Sequence, residues 1–377
     1  MRINSIQFKD KQRGWELEEL KFDDLNLLVG ISGAGKTQIL NAILAIKNIL
    51  DENLTSGINW KIDFIEGNDN YIWEGELSEL EDDDTSLFPY ITHSEIIKKI
   101  KFIFEKLYLN GDLIVDRTEE KIIYNNNPLP KLDTNTSILK LLEEDNLKNV
   151  VKAFDKIIFR DYTKNENQLQ ISSKDYYIDW KIKFNSIEKL KIENIPLIPK
   201  IYITSKLFID IFNEIKSNFL DIFSQVENIE VVKEIKNIGK NLLNCYYLKI
   251  KIKDSDKWVN QNNISSGMLR TLIHIAEMYL SPDGTVFLID ELENSLGINC
   301  VNFLSEDLLL QNNRMQFIAT SHHPYIINKI PCEYWKIVTR KGGKIKVYDT
   351  TQFNLDKSHH ENFFKLINLK EYREGIQ

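Results

Sequence analysis

The run Gly30-Ile31-Ser32-Gly33-Ala34-Gly35-Lys36-Thr37 fits the spacing G-x-x-x-x-G-K-[ST]. Glycines in that pattern let successive backbone N–H groups turn inward around phosphate oxygens. Lys36 is placed to reach terminal phosphates, and the Thr37 hydroxyl is a ligand for Mg²⁺. Gln38 opens the following helix, whose N-terminal end adds positive character. A Gly-rich turn could match by accident, but the context argues otherwise. Leu25–Val29 is apolar except for Asn26 and ends at a glycine, as a buried strand does. Ile39, Ile43, Ile46 and Leu50 then recur at helical spacing.

A second chemical element is Val286-Phe287-Leu288-Ile289-Asp290-Glu291, an apolar strand ending in adjacent carboxylates. Asp290 can hold Mg²⁺, and Glu291 can orient and deprotonate an attacking water. Strand ends are often acidic, so this pair gains its meaning from the phosphate loop. Ser265, Ser266 and Gly267 precede a helix striped by Leu269, Leu272, Ile273, Ala276 and Leu280. The plain reading is a serine N-cap. The same physics makes a helix start an anion site, here one that clamps the γ-phosphate of ATP on a second subunit. In a fourth element, the strand Gln316–Thr320 delivers His322 to the end of the sheet, where ligands of open α/β folds bind. Its imidazole can hydrogen-bond a phosphate or the attacking water. The pair His322-His323 also admits a metal, but no further Cys or His lies nearby at ligand spacing.

These groups need a scaffold. Ile3–Phe8, Trp15–Leu20 and Leu25–Val29 read as strands before the Gln38–Leu50 helix. A β-meander follows from Ile58 to Tyr124, with Ile91–Ile100 readable as helix or strand. Ser137–Ile158, Lys206–Phe223 and Val231–Leu243 read as helices, and Cys245–Lys253 and Lys257–Asn260 as strands. Met268–Leu280, Thr285–Ile289, Val301–Leu310 and Gln316–Thr320 then alternate helix and strand, which implies a parallel α/β sheet. A hairpin, Trp335–Thr339 with Lys344–Asp349, and a helix from His360 complete the pattern.

Composition bounds the function. The 377 residues are 42% hydrophobic and 28% charged, ample for a large core. The net charge of −8 argues against indiscriminate coating of nucleic acid. Cys245, Cys300 and Cys332 form no C-x-x-C pair, which suits a reducing, cytoplasmic interior. The apolar runs are too short to span a bilayer, so no membrane partner is expected.

In this order, the four elements resemble the ATPase heads of the ABC superfamily, in the branch of RecF, SMC-type and OLD-like proteins. The resemblance covers Ile3–Leu50 and Ile264–Val338 best. It implies an α/β, ABC-type P-loop NTPase head with a mixed or parallel sheet core and an antiparallel β-subdomain. The head would span 1–130 and 245–350, with a mainly helical insertion at 131–244 and a helical tail at 351–377. It assigns Gly30–Thr37 as Walker A, Ser265–Gly267 as the signature, Asp290 and Glu291 as Walker B, and His322 as the switch histidine. Glu293-Asn294-Ser295-Leu296 falls at the D-loop, and Gln168 and Gln170 are candidates for the Q-loop. The cofactors implied are ATP and Mg²⁺, and the chain would dimerise around ATP.

The departures narrow the function. Ser266 and Met268 stand where the usual signature has glycine and glutamine, which the OLD-like branch tolerates. A long coiled-coil arm of SMC type is not expected, nor, in the residues after His322, the nuclease domain of full OLD proteins. The resemblance therefore implies a stand-alone ATPase switch paired with a separate effector, nuclease or toxin, in anti-phage defence. Two alternatives stay open: a RecF-like DNA-binding ATPase in repair, and a nucleotide-dependent scaffold with negligible hydrolysis. Lys249, Lys251 and Lys253 on one strand face read as an exposed edge or as a DNA contact. Arg270 reads as a phosphate contact or a surface residue, and Trp15 as an adenine-stacking or a core residue.

Overall fold

The computed structural model describes residues 1–80, 99–161, 170–172, 180–238, 241–293, 305–306, 308–310, 314–353, 366–369 and 372. The chain divides into two compact units. One is Met1–Arg160, Gly284–Leu292 and Asn312–Gln377; the other is Asp161–Asp283 and Glu293–Gln311.

The first unit opens with strands β1 (Arg2–Asp10), β2 (Trp15–Lys21) and β3 (Leu25–Val29), then helix α1 (Lys36–Leu50). A meander follows: β4 (Ile58–Glu66), β5 (Asp69–Leu77), β6 (Phe102–Leu109), β7 (Asp112–Thr118), β8 (Ile122–Tyr124) and β9 (Asn127–Leu129). Helix α2 (Asp145–Asp155) and strand β10 (Ile157–Asp161) close that stretch. The second unit holds β11 (Gln170–Ser172), α3 (Leu197–Leu207), α4 (Ile209–Ile222), β12 (Val226–Ile238), β13 (Asn241–Ile252), β14 (Trp258–Asn260) and α5 (Ser266–Leu280). The chain returns to the first unit with β15 (Val286–Asp290), β16 (Gln316–Thr320), α6 (Pro324–Lys329), β17 (Trp335–Lys341) and β18 (Lys344–Asp349).

The first unit is built on a 14-stranded sheet in the order β10-β15-β16-β3-β17-β18-β2-β1-β4-β5-β6-β7-β8-β9. Its β15-β16-β3-β17 part is parallel, with Val286 opposite Gln316, Phe317 opposite Leu25 and Trp335 opposite Leu27. Strands β3, β15 and β16 are buried along their whole length. That is why they read as near-continuous apolar runs rather than alternations. Helix α1 packs Ile39, Leu40, Ala42, Ile43, Ile46, Ile49 and Leu50 inward. Each large aliphatic side chain among them contributes about 1.5–3 kcal/mol when fully buried. The meander alternates instead: Ile58, Trp60, Ile62 and Phe64 of β4 point to the core. Trp60 meets Trp73 edge-on, with ring centroids 5.3 Å apart.

The second unit packs α3, α4 and α5 on a smaller antiparallel sheet. Ile201, Phe219, Leu272 and Ala276 meet Ile229, Tyr246 and Leu248 in its core. Here the helix expected from Val231 is wrong, because residues 231–238 belong to strand β12. Val231 faces Leu248 and Ile229 faces Ile250 across the pair with β13. That pairing buries one face, and such a tertiary partner overrides local propensity. The second unit runs from Asp161 through Asp283 with Glu293–Gln311 and includes the smaller sheet. Ser137–Ile158 is broken into Ile138–Leu141 and α2, and Ile157 begins an edge strand of the large sheet. Residues 91–98 and 360–365 lie outside the described residues. Among the described residues, no helix is long and apolar enough to cross a membrane.

Candidate functional site

The phosphate loop connects β3 to α1. Gly33 and Gly35 take left-handed φ values of 83° and 102°. A Cβ on Gly30 would come within 2.5 Å of the Val338 carbonyl oxygen, so the loop can lie flush against β17 only without one. Around this loop is a cavity of about 510 Å³, entirely in the first unit. It is lined by Gly30–Gly33, Gly35–Gln38, Asp290, Glu291, Thr320 and His322, together with Arg340 and Tyr372. Ala34 does not line it: its methyl group is fully buried and its N–H donates to the Ile31 carbonyl at 3.3 Å. Lys36 folds back over the loop, with Nζ donating to the carbonyls of Gly30 at 2.8 Å and Ile31 at 3.1 Å.

Sheet topology brings the acids to the loop. β16 lies beside β3 and β15 beside β16, all parallel, so residues at their C-terminal ends converge on the start of α1. The Thr37 hydroxyl donates to Asp290 Oδ1 at 3.1 Å, and the Thr320 hydroxyl donates to the same oxygen at 2.6 Å. Thr320 Oγ1 in turn accepts from the Glu291 N–H at 2.8 Å. Glu291 sits at φ 49°. A left-handed conformation costs a residue with a Cβ roughly 1–2 kcal/mol. Successive side chains of a regular strand point to opposite faces. Leaving the extended conformation at Glu291 is what lets both carboxylates line one cavity. The Leu292 N–H, bonded to the Thr320 carbonyl at 3.0 Å, helps hold that turn.

His322 also lines the cavity. His323 does different work as the N-cap of α6, where Nδ1 accepts from the Tyr325 N–H at 3.2 Å. Arg340 donates to Gln38 Oε1 at 2.9 Å. Burial pushes the Tyr372 phenol above its usual range.

Three lining residues escaped the sequence reading. Thr320 carried a signal, as the polar end of an apolar strand preceding the histidine. Arg340 and Tyr372 carried none, because the fold brings them in from far along the chain.

The residues suit ATP·Mg. The loop presents backbone and a lysine to phosphates, and the Thr37 hydroxyl and Asp290 carboxylate form a hard oxygen pair of the kind Mg²⁺ takes. Ser265, Ser266 and Gly267 belong to the second unit. Ser265 caps α5, its hydroxyl oxygen accepting from the Met268 N–H at 3.3 Å, and Ser265 and Ser266 are exposed. Asn294, Ser295, Leu296, Gln168 and the Gln170 side chain lie outside the described residues.

Three weaker features resolve. Trp15 is a core residue, packed on Phe8 with ring centroids 5.1 Å apart. Arg270 is 7% exposed and is not a surface residue. Strand β13 is interior to its sheet, and Lys251 pairs with Glu227 at 3.0 Å while Lys249 stands opposite Glu230. The lysine row is therefore neither an edge guard nor an unopposed basic face.

The fold has solved counterparts. An SmcHead bound to the C-winged helix domain of ScpA is 12% identical, with a TM-score of 0.52 over 92% of this chain and 97% of that one. The SMC head domain of Thermotoga maritima is 14% identical, with a TM-score of 0.43 over 93% and 99%. A Pyrococcus furiosus Smc head with an extended coiled coil, bound to the C-terminal domain of ScpA, is 13% identical, with a TM-score of 0.47 over 93% and 97%. No curated protein matches the sequence. The fold is thus that of an SMC-head-like P-loop ATPase, a mixed α/β architecture with one large mixed sheet and one small antiparallel sheet. Residues 25–328 match the family model described as "AAA domain, putative AbiEii toxin, Type IV TA system", and the chain belongs to that family.

Proposed function

We propose that this chain binds ATP·Mg and hydrolyses it at an interface between two copies, as a switch that governs a separate effector, a nuclease or toxin, in anti-phage defence. The observation that carries the hydrolytic part is the Thr37–Asp290–Thr320–Glu291 chain of contacts beside the phosphate loop. Lys36 would exchange its carbonyl partners for the β- and γ-phosphates. Thr37 and Asp290 would hold Mg²⁺, which supplies charge neutralisation along the phosphates. Glu291 would take the proton of the attacking water, and His322 would orient that water or the γ-phosphate. Ser265, Ser266 and Gly267 would close the site from the second copy, with α5 offering its N-terminal end. The defence role is supported by the family's description, which names AbiEii and a type IV toxin–antitoxin system. That a solved SmcHead carries a winged-helix domain of another protein supports a protein partner for the switch.

The test is Glu291→Gln. It should keep ATP binding and slow hydrolysis by roughly a hundredfold or more, the scale of a positioned general base. ATP-bound dimers should accumulate, read by mass photometry. Wild-type turnover in this variant would sink the assignment and favour another carboxylate. The shared site has its own test. Lys36→Ala and Gly267→Asp should each be inactive, and mixing them should partly restore hydrolysis, because one composite site is then intact. No recovery in proven heterodimers would count against a site built from two chains.

A further inference from the structure

The cavity has a second flank that the catalytic reading leaves unused. In the large sheet, β16 and β15 lie on one side of β3 and the β17–β18 hairpin lies on the other. Asp290, Glu291 and Thr320 therefore approach the phosphate loop from one flank, and the hairpin backs it from the opposite one. The backing is close: Val338 stands against Gly30, and Ile345 lies where a Cβ on Gly35 would fall. Arg340 projects from this hairpin and is held at two points. Its Nε donates to the Gly342 carbonyl at 2.8 Å and its NH1 donates to Gln38 Oε1 at 2.9 Å. Tyr372 lines the same cavity.

A triphosphate lying along the loop has its γ end at Thr37, Asp290 and Glu291. Its nucleoside must then leave toward the Gln38 flank. Arg340 waits there as a fixed, planar guanidinium, and the Tyr372 ring lines the same cavity; these are the two side-chain types that stack on bases. The Trp15 ring is occupied by the core. The geometry points to Arg340 and Tyr372 as the nucleoside subsite, a planar cation and a phenol ring that hold the purine ring of the bound nucleotide. This assignment rests on the ATP-binding reading, and Gln38 acts in it as a positioning residue that keeps the guanidinium in place.

Titration calorimetry with two probes, ATP·Mg and inorganic tripolyphosphate·Mg, separates the assignment from the reading beneath it. Arg340→Ala and Tyr372→Ala should each weaken ATP by about tenfold, the scale of one base-stacking contact, and leave tripolyphosphate unchanged. Tyr372→Phe should keep ATP affinity, because stacking needs the ring and not the hydroxyl. Arg340→Lys should behave like Arg340→Ala, because the planar face is lost. Unchanged tripolyphosphate affinity also shows that each variant is folded. Equal losses for both probes would make Arg340 a phosphate contact and overturn the nucleoside subsite, as would unaltered ATP affinity in both alanine variants. Wild-type protein that binds neither probe would overturn the nucleotide reading itself.

Discussion

Glu105 in the meander and Asp290 at the cavity are both buried carboxylates of the first unit, but their surroundings differ. Glu105 is fully buried and accepts from Trp73 Nε1 at 3.2 Å, from the Ser137 hydroxyl and from the Ile138 N–H at 2.9 Å. Arg117 stands 3.7 Å away, itself 2% exposed and bonded to the Asp133 and Thr136 carbonyls. Burial pushes the Glu105 carboxyl above its ordinary range, against those donors. Asp290 also receives donors, but both are hydroxyls that converge on one oxygen beside an open cavity. An acid surrounded on all sides by donors fastens a β-subdomain to the helix that follows it. An acid whose hydroxyl partner is also a cation ligand is arranged for binding. Burial alone does not mark a functional carboxylate; what it faces does.

The largest expected effect tests the structural member of the pair. Glu105→Ala leaves Arg117 buried without its acid and should cost about 3–5 kcal/mol of stability, measured by urea unfolding. ATP affinity of the folded fraction should not change. A loss of binding without a loss of stability would erase the contrast.

Next comes Asp290→Ala. It should lower hydrolysis by about a hundredfold or more, as expected when a Mg²⁺ ligand worth several kcal/mol to the transition state is removed. Its unfolding free energy should fall by about 1–3 kcal/mol, the cost of leaving the buried Thr320 hydroxyl without its acceptor, and so by less than in Glu105→Ala. Chelating Mg²⁺ should weaken ATP binding to the wild type and should add little in this variant. A severely destabilised Asp290→Ala would place that residue with Glu105.

The smallest effect sharpens the pH behaviour of Glu105. Its folded-state value is raised above the ordinary 4.5. The folded state then holds this proton more tightly than the unfolded chain. The linked stability is present below 4.5 and is lost as pH rises from there through the folded value. The stability difference between wild type and Glu105→Gln should therefore shrink as pH rises through that window. A difference that grows instead would show that Arg117 and the other donors outweigh burial.

The legibility of the two units followed from how their elements acquire their patterns. Strands β3, β15 and β16 and helix α1 were readable because one buried sheet and one amphipathic stripe impose patterns on single segments. Strand β12 was misread because its residues show apolar spacing that suits a helix equally well. Only the partner strand decided, through Val231 against Leu248 and Glu230 against Lys249.

For the site, the sequence alone determined which residues could touch phosphate and metal, because Gly30–Thr37 and Asp290-Glu291 are contiguous runs whose chemistry needs neighbours along the chain. Those motifs also led to the family that the comparisons show. Tertiary structure decided what joins them. Thr320 meets Asp290 because β16 lies beside β15, and Glu291 turns into the cavity because its backbone leaves the strand at positive φ. Arg340 reaches Gln38 because β17 lies against β3, although 302 positions separate the two residues. Sequence spacing records what one segment can do; contacts across a sheet depend on strand order, which no single segment encodes.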